Sequence, residues 1–238
     1  MTEALLLSFL AGAAIPIGGI LAAMIHIKRE WLDREFRHTV IAFGGGALVS
    51  AISLVLVPEG VEYLSIPAAA GSFLGGGIIF LLLDRYLTLR GGAGSQLMAM
   101  LLDFVPEAVA LGSAFAMGSP AGVLLAFLIG IQNLPEGFNS YCELTMKAGV
   151  ARRRALVTFA LLTLLGPISA WIGMVYVVNH PTLLGILMLS SSGGILYLTF
   201  QDIAPQAKLE CHWGPSLGAV VGFLLGLVGF LLTKGSAG

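Results

Sequence analysis

Eight apolar stretches, each long enough to cross a lipid bilayer, divide this sequence from end to end. A helix needs about 20 apolar residues to cross about 30 Å of hydrocarbon. The stretches cover approximately residues 4–27, 38–61, 68–88, 96–118, 121–144, 155–178, 182–203 and 214–233. Because lipid offers the backbone no hydrogen-bond partners, each stretch is predicted to be an α-helix. The expected fold is an all-α membrane protein with eight transmembrane helices.

The composition excludes the main alternatives to a membrane protein. The chain is 57% hydrophobic and 11% charged, whereas a soluble domain is about 45–50% apolar and about 25% charged. Charge this sparse cannot cover a water-soluble globule, and disorder requires low hydrophobicity. No loop is long enough to hold a second domain, so residues 1–238 are expected to form a single transmembrane domain. We expect membrane lipid, and no nucleic acid, as a partner.

The basic residues fix the expected orientation of the spans. Cytoplasmic loops carry an excess of Lys and Arg, and in the eight-span arrangement eleven of the twelve basic residues fall on one side. These eleven are Lys28, Arg29, Arg34, Arg37, Arg85, Arg90, Lys147, Arg152, Arg153, Arg154 and Lys208. Both termini are therefore predicted to lie outside. With no targeting extension recognised, a bacterial plasma membrane is the expected location.

Carboxylates in the middle of the fourth span need an explanation. A charged side chain at the bilayer centre costs about 2.5–3.5 kcal/mol on the insertion scale. Asp103 and Glu107 lie four residues apart, on one helix face, with Pro106 between them. A proline inside a helix leaves the carbonyl four residues earlier, here that of Leu102, without its hydrogen bond. Two carboxylates beside a free carbonyl predict a cation site.

The fifth span repeats this arrangement. Gln132 and Glu136 are also four residues apart, Pro135 precedes Glu136, and Asn133 lies beside them. An offset of 29 residues superimposes the two motifs, proline on proline and glutamate on glutamate. Interrupted helices in paired positions indicate a transporter binding site. The alternative is a structural polar cluster with protonated, hydrogen-bonded carboxyls, since no Lys or Arg lies near mid-depth in any span.

Further polar residues lie near the ends of spans. Glu59 and Glu62, at the outer end of the second span, are candidates for a cation entrance or for a solvated helix end. Gln201, Asp202 and Gln206, near the cytoplasmic end of the seventh span, are candidates for an exit or for solvated cap residues. The sequence leaves both pairs of alternatives open.

The motifs of the fourth and fifth spans, VPEAVALGSA and QNLPEGFNSY, resemble those of the ZIP family of divalent metal transporters. The segments GGGALVSAISLVLVPEG, FLLLDRYL and ILYLTFQDIAPQA are similar to the family's second, third and seventh spans. The resemblance implies a ZIP-like bundle packed as a homodimer. It also implies transport of zinc, iron or manganese towards the cytoplasm, by alternating access, through a site between these helices.

The sequence departs from the family where ligands are expected. Asp103 and Gln132 stand where the family usually has His, Phe104 stands in place of Asn, and Gly166 stands where many members have Glu. The remaining candidate ligands, all oxygen donors, are Asp103, Glu107, Gln132, Asn133 and Glu136. Oxygen-only sites favour Mg²⁺ or Mn²⁺ over zinc. We therefore expect one principal cation site and not a two-metal site, because Phe104 and Gly166 remove two donors. The substrate is expected to be a divalent metal ion, with zinc, iron, manganese and magnesium as candidates.

Two other functions follow from the same residues. The missing histidines leave open a non-transporting scaffold or regulatory membrane subunit with a degenerate metal site. Three costly buried acids argue against such decay. An intramembrane enzyme is not expected, because the spans contain no HExxH motif and no buried Ser/His or Cys/His pair.

Overall fold

The computed structural model describes residues 1–25, 30–89, 95–207 and 213–235, and these are helical almost throughout. Eleven α-helices occur in this part of the chain. They are α1 (Thr2–Met24), α2 (Glu30–Ala51), α3 (Val57–Val61), α4 (Ile66–Leu89), α5 (Ser95–Ala116), α6 (Ala121–Cys142), α7 (Arg152–Leu162), α8 (Leu165–Val175), α9 (Pro181–Leu198), α10 (Ala204–Ala207) and α11 (Gly214–Gly235). The prediction of an all-α fold is confirmed for the described residues.

Seven helical segments are long and apolar enough to cross a membrane. They are Thr2–Met24, Glu35–Val61, Ile66–Tyr86, Ala121–Met146, Arg152–Asn179, Pro181–Ile203 and Gly214–Thr233. Between the third and fourth of these lies α5, a helix of 22 residues that carries Asp103 and Glu107. The chain is an integral membrane protein, as its composition predicts.

The sixth predicted span, residues 155–178, is not the continuous helix that its hydropathy suggested. It is divided into α7 and α8, with a break at Thr163 and Leu164. Pro167 has no N–H, so the carbonyl of Thr163 lacks its usual partner four residues later. The N–H of Gly166 donates to that carbonyl instead, at 3.3 Å. The proline therefore explains the correction.

Three π-helical turns extend the long helices, and neither composition nor periodicity predicted them. Ile52–Leu56 joins α2 to α3, Glu143–Lys147 follows α6, and Thr199–Ile203 joins α9 to α10. Such turns are rare and often occur at functional sites. All three continue helices, α2, α6 and α9, that border the polar interior.

Glycines bring four pairs of helices into backbone contact. In each pair, one glycine from each helix faces a carbonyl oxygen of the other so closely that a Cβ would collide with it. The pairs are Gly18 and Gly137 (α1 with α6), Gly46 and Gly222 (α2 with α11), Gly76 and Gly193 (α4 with α9), and Gly112 and Gly173 (α5 with α8). Such contacts are typical of closely packed membrane helices, where small residues let the backbones approach.

Burial separates an inner group of helices from an outer one. In the spans Ile66–Tyr86 and Gly214–Thr233, only 11% and 17% of the residues are buried. In Ala121–Met146, which contains α6, 61% are buried. α5 packs against α6, and both carry buried polar residues. The outer helices therefore expose many apolar side chains, while the buried carboxyl and amide side chains Asp103, Glu107, Gln132 and Asn133 lie on α5 and α6.

Candidate metal site

The five predicted ligands lie together between α5 and α6. Asp103, Glu107, Gln132 and Asn133 are buried, each at most 3% exposed. Glu136 is half-buried. The carboxylates of Asp103, Glu107 and Glu136 are close enough to interact electrostatically. The local spacing explains the grouping, because residues four apart share a helix face.

Hydrogen bonds tie some of these side chains to each other and to neighbouring backbone. The Gln132 amide Nε2 donates to Glu107 Oε2, which links α6 to α5. The Asn133 amide Nδ2 donates to the carbonyl of Ala11 in α1, at 3.1 Å. The Asp103 carboxylate accepts the N–H of Phe104 at 2.8 Å. Asp103 therefore keeps most of its acceptor capacity for another partner.

Asp103 and Glu136 line one cavity of about 40 Å³, which we call the chamber. A volume of about 30 Å³ is the share of one water molecule in the liquid. The chamber therefore has room for a cation or a water. Its other lining residues are Ile41, Gly44, Leu48, Met100, Pro135, Asn139, Leu198, Asp202 and Ile203.

Asp202, the candidate exit or cap residue at the end of the seventh span, lines the chamber together with Asp103. The π-helical turn Thr199–Ile203 carries Asp202 and packs against α2 beside the chamber. Gln201 is exposed and does not line the chamber. The side chain of Gln206 lies outside the described residues.

Asn139 is a chamber residue that the sequence analysis missed. It follows Glu136 by three residues on α6, so the two side chains share a helix face. Its amide oxygen is a ligand of the same kind as those of Gln132 and Asn133. The spacing was the available signal, but Asn139 has no polar counterpart in the fourth span, where the 29-residue offset pairs it with Ala110.

Four buried oxygens of the predicted ligands accept no hydrogen bond from the described residues. They are Glu107 Oε1, Gln132 Oε1, Asn133 Oδ1 and Glu136 Oε2. A buried acceptor without a partner costs about 1–3 kcal/mol. The site therefore has more acceptors than donors, and protons or a cation would correct the imbalance. Among the residues described, no three or more Asp, Glu, His or Cys side chains are already arranged around a single metal position.

The structure explains why position 166 carries no ligand. Gly166 lies against α1, and a Cβ there would be 2.5 Å from the carbonyl oxygen of Ser8 and 3.0 Å from Cζ of Phe104. A glutamate at this position would need α1 to move away. The helix packing therefore has no room for a carboxylate side chain at position 166.

The acids at the outer end of α3 lie apart from the chamber. Glu59 is half-buried and Glu62 is exposed. Burial, followed by the negative charges of Glu59 and Glu62, raises the pKa of the Tyr63 phenol. The electrostatic potential at this end of the helix is therefore negative. Such a field attracts cations, and a solvated helix end with two acids would produce it as well.

Comparison with known proteins gives one informative relative. The zinc transporter ZupT of Akkermansia muciniphila is 25% identical to this chain, over 94% of this chain and 93% of its own length. No family profile matches the chain. Together with the spanning helices, this bacterial relative places the chain among integral membrane proteins of the bacterial plasma membrane.

Proposed function

We propose that the chain is a divalent metal transporter of the ZIP type, which carries a divalent cation across the membrane towards the cytoplasm; its motifs and its similarity to a zinc transporter support this. One observation above all supports this. Four buried oxygens without hydrogen-bond donors lie on Glu107 of α5 and on Gln132, Asn133 and Glu136 of α6, and Glu136 also lines the chamber. A cation passing through would supply the positive charge that these oxygens lack.

The proposed topology has eight spans with both termini outside. α5 is the span to be added to the seven apolar segments, since its 22 residues give it sufficient length. With eight spans, the basic loops all face the cytoplasm, apart from Lys234. The whole chain, residues 1–238, then forms one transporter domain. We further propose a homodimer, on the family resemblance.

The proposed ligands are Asp103, Glu107 and Glu136, with Gln132 and Asn133 binding through their amide oxygens. Three carboxylates offset the charge of a dication and leave about one negative charge if all are ionised. Rotation of Gln132 would release Glu107 Oε2 and turn the amide oxygen towards the ion. Because every donor is an oxygen, Mn²⁺ and Mg²⁺ should be carried better than by a histidine site.

The path follows from the positions of the remaining acids. Glu59 and Glu62 form the proposed entrance at the outer end. Asp202, with Gln201 and Gln206 further along, forms the proposed exit towards the cytoplasm. In alternating access the site opens to one side at a time, so the chamber is expected to communicate with only one face in each state.

A non-transporting scaffold or regulatory subunit remains the second candidate, and one observation favours it. The described carboxylates are not arranged around one metal position, and Gln132 already donates to Glu107. A degenerate site would look like this. Cation binding at equilibrium separates the candidates, because a scaffold with a decayed site binds no ion there.

The deciding experiment is uptake of Zn²⁺, Fe²⁺, Mn²⁺ and Mg²⁺ into proteoliposomes that contain the full chain. Uptake that disappears in Asp103→Asn and Glu136→Gln, together with lost Mn²⁺ binding, would support a transporter with an oxygen site. Wild-type binding without uptake would point to the scaffold. Zinc uptake that survives both substitutions would exclude the proposed ligands.

A further inference from the structure

A second cavity, of about 470 Å³, lies beside the chamber. Its walls are α11 on one side and the turn Thr199–Ile203 with α10 on the other, and α2, against which both walls pack, contributes to the lining. We call this cavity the groove; its lining includes Gly45, Ile203, Ala204, Pro215, Val220 and Phe223. Two further measures show that it is open to the outside, since the lining residues Phe200 and Val220 are 68% and 61% exposed.

The lining of the groove is apolar. Of the described residues that line it, none is charged, and only Thr199 and Ser216 carry a polar side-chain atom. The Thr199 hydroxyl already donates to the carbonyl of Ile195, at 2.8 Å. Apolar clefts of about 300–1,000 Å³ are typical of small-ligand sites. The groove therefore suits an uncharged hydrocarbon ligand.

The position and length of the groove narrow the choice of ligand. It begins at Pro215, the second residue of α11, and Trp213, directly before α11, is 88% exposed. Trp is enriched at the interface between membrane and water. Between Pro215 and Phe223 the helix rises about 12 Å, at about 1.5 Å per residue. One leaflet contributes about 15 Å to the hydrocarbon thickness of about 30 Å, so the groove has the length of one acyl chain, whereas a membrane helix of a partner would cross both leaflets.

Ile203 separates the groove from the chamber, because it lines both cavities. It lies directly on α2, where a Cβ added to Gly45 would be 2.7 Å from its Cγ2. Asp202 precedes it in the same π-helical turn and lines the chamber. A ligand in the groove therefore contacts the turn that places this acid in the chamber.

We propose that the groove binds one acyl chain of a bilayer phospholipid, which packs against Ile203 on the side opposite the chamber. The groove opens on the surface that this integral membrane protein shares with lipid, so hydrocarbon enters it without crossing water. In the proposed topology α11 begins on the cytoplasmic side, and the lipid belongs to the cytoplasmic leaflet. The proposal goes beyond metal transport, because the chain is bound whether or not an ion is carried.

The test reconstitutes the full chain into vesicles of phosphatidylethanolamine and phosphatidylglycerol that contain a small fraction of phosphatidylcholine with a photoreactive diazirine in one acyl chain. After irradiation, mass spectrometry of the peptides locates the label. Val220 should be labelled several-fold more than Leu74 of α4, although the two side chains are similarly exposed, at 61% and 66%. Equal labelling of both positions would show general lipid contact and would overturn the proposal.

A substitution that fills the groove tests whether the label reports on this cavity. Ala204→Trp places a large side chain in the groove and should reduce the labelling of Val220 several-fold. Ala70→Trp, at an exposed position of α4, is the matched control and should leave that labelling unchanged. Val220→Trp, with the label measured at Phe223, replaces Ala204→Trp if the latter does not fold. Undiminished labelling in a folded variant of the groove would contradict the proposal.

A second substitution tests the role of Ile203. In the native chain Leu48, which lines the chamber and is 1% exposed, should take no label. Ile203→Ala removes the separation between the two cavities, so the label should then reach Leu48. Labelling that stays confined to the groove in this variant would overturn the proposed contact with Ile203.

The remaining outcome identifies a different occupant. A native groove without label, together with dissociation of a dimer by Ala204→Trp in light scattering, would overturn lipid binding in favour of a second copy of the chain. These measurements contain no transported ion. A failure of the lipid proposal is therefore distinguishable from a failure of the proposed transport function.

Discussion

α5 and α6 carry the same proline-glutamate motif, yet the structure uses the two copies differently. In α5 the first polar residue of the motif, Asp103, faces the chamber, and the second, Glu107, does not. In α6 the order is reversed, since Glu136 faces the chamber and Gln132 binds Glu107. Asp103 of α5 is therefore level with Glu136 of α6, and Glu107 of α5 is level with Gln132 of α6.

This crossing follows from chain direction. Consecutive helices joined by a short connection, here residues 117–120, run antiparallel. When the same motif occurs on two antiparallel helices, its two polar residues pair crosswise and form two layers, one above the other. One layer is closed by the hydrogen bond between Glu107 and Gln132, and the other is open and contains Asp103 and Glu136. The comparison teaches that similar motifs predict proximity but not which members meet.

The largest expected effect is in the open layer. Asp103→Asn and Glu136→Gln each keep the side-chain size but remove a charged ligand. We expect Mn²⁺ uptake to fall by about 100-fold or more, at least the loss caused by removing a group that only supports a ligand. Glu3→Gln, at an exposed position of α1, is the control and should transport normally. Equal uptake by all three variants would remove the distinction between the layers.

A second substitution tests how α6 is held in place. Gly137→Ala puts a Cβ against the carbonyl of Ile15, and overpacking of this kind costs about 1–3 kcal/mol. The Tm in detergent should therefore fall clearly. Gly130→Ala is the control in the same helix, because its Cβ would lie 3.8 Å from its nearest neighbour, Cα of Ala11. A Gly130 variant as unstable as the Gly137 variant would contradict the packing described.

The closed layer should respond in stability more than in binding. Gln132→Met removes the amide donor and leaves Glu107 buried without a partner, at a cost of about 1–2 kcal/mol. The exchange Glu107→Gln with Gln132→Glu keeps one carboxylate and one amide, and should recover much of the Tm. Thermal unfolding of the single and double variants measures this. An exchange variant less stable than Gln132→Met would show that the pair is not interchangeable.

The smallest effect is expected for acids outside both layers. Glu59→Gln and Glu62→Gln weaken the negative field at the outer end without touching the chamber. The KM for Mn²⁺ should rise about twofold at low ionic strength, and the difference should vanish at about 1 M salt, where the Debye length is about 3 Å. An effect that persists in high salt would indicate direct coordination instead.

Sequence periodicity and hydropathy were sufficient to predict most of the helices and to predict that the polar residues lie together. Apolar length predicts spans, and the i, i+4 spacing predicts a shared face, since both depend on local geometry alone. The break at Thr163 and Leu164 also has a local cause, Pro167. Whether a proline breaks a helix, however, depends on whether neighbouring groups supply the hydrogen bond that it removes. The three π-helical turns left no mark in composition.

The site was less predictable because it depends on contacts between distant segments. Asp202 joins Asp103 only because Thr199–Ile203 packs against α2. The pairing of Glu107 with Gln132 depends on the vertical register of α5 and α6, which is set by packing and not by either motif. The choice among the five candidate ligands therefore stays a prediction until ion binding is measured.

The glycine contacts have a mechanical consequence. Two helices whose backbones touch resist sliding and move as one double rod, so the bundle contains the rods α1–α6, α2–α11, α4–α9 and α5–α8. Asp103 belongs to one rod, Glu136 to a second, and Asp202 follows the end of a third. The seam between the α5–α8 and α1–α6 rods passes through the Glu107–Gln132 hydrogen bond. A rocking motion of one rod against the other would increase the distance between ligands on α5 and ligands on α6. The same motion that opens a path for the ion would therefore also weaken its binding.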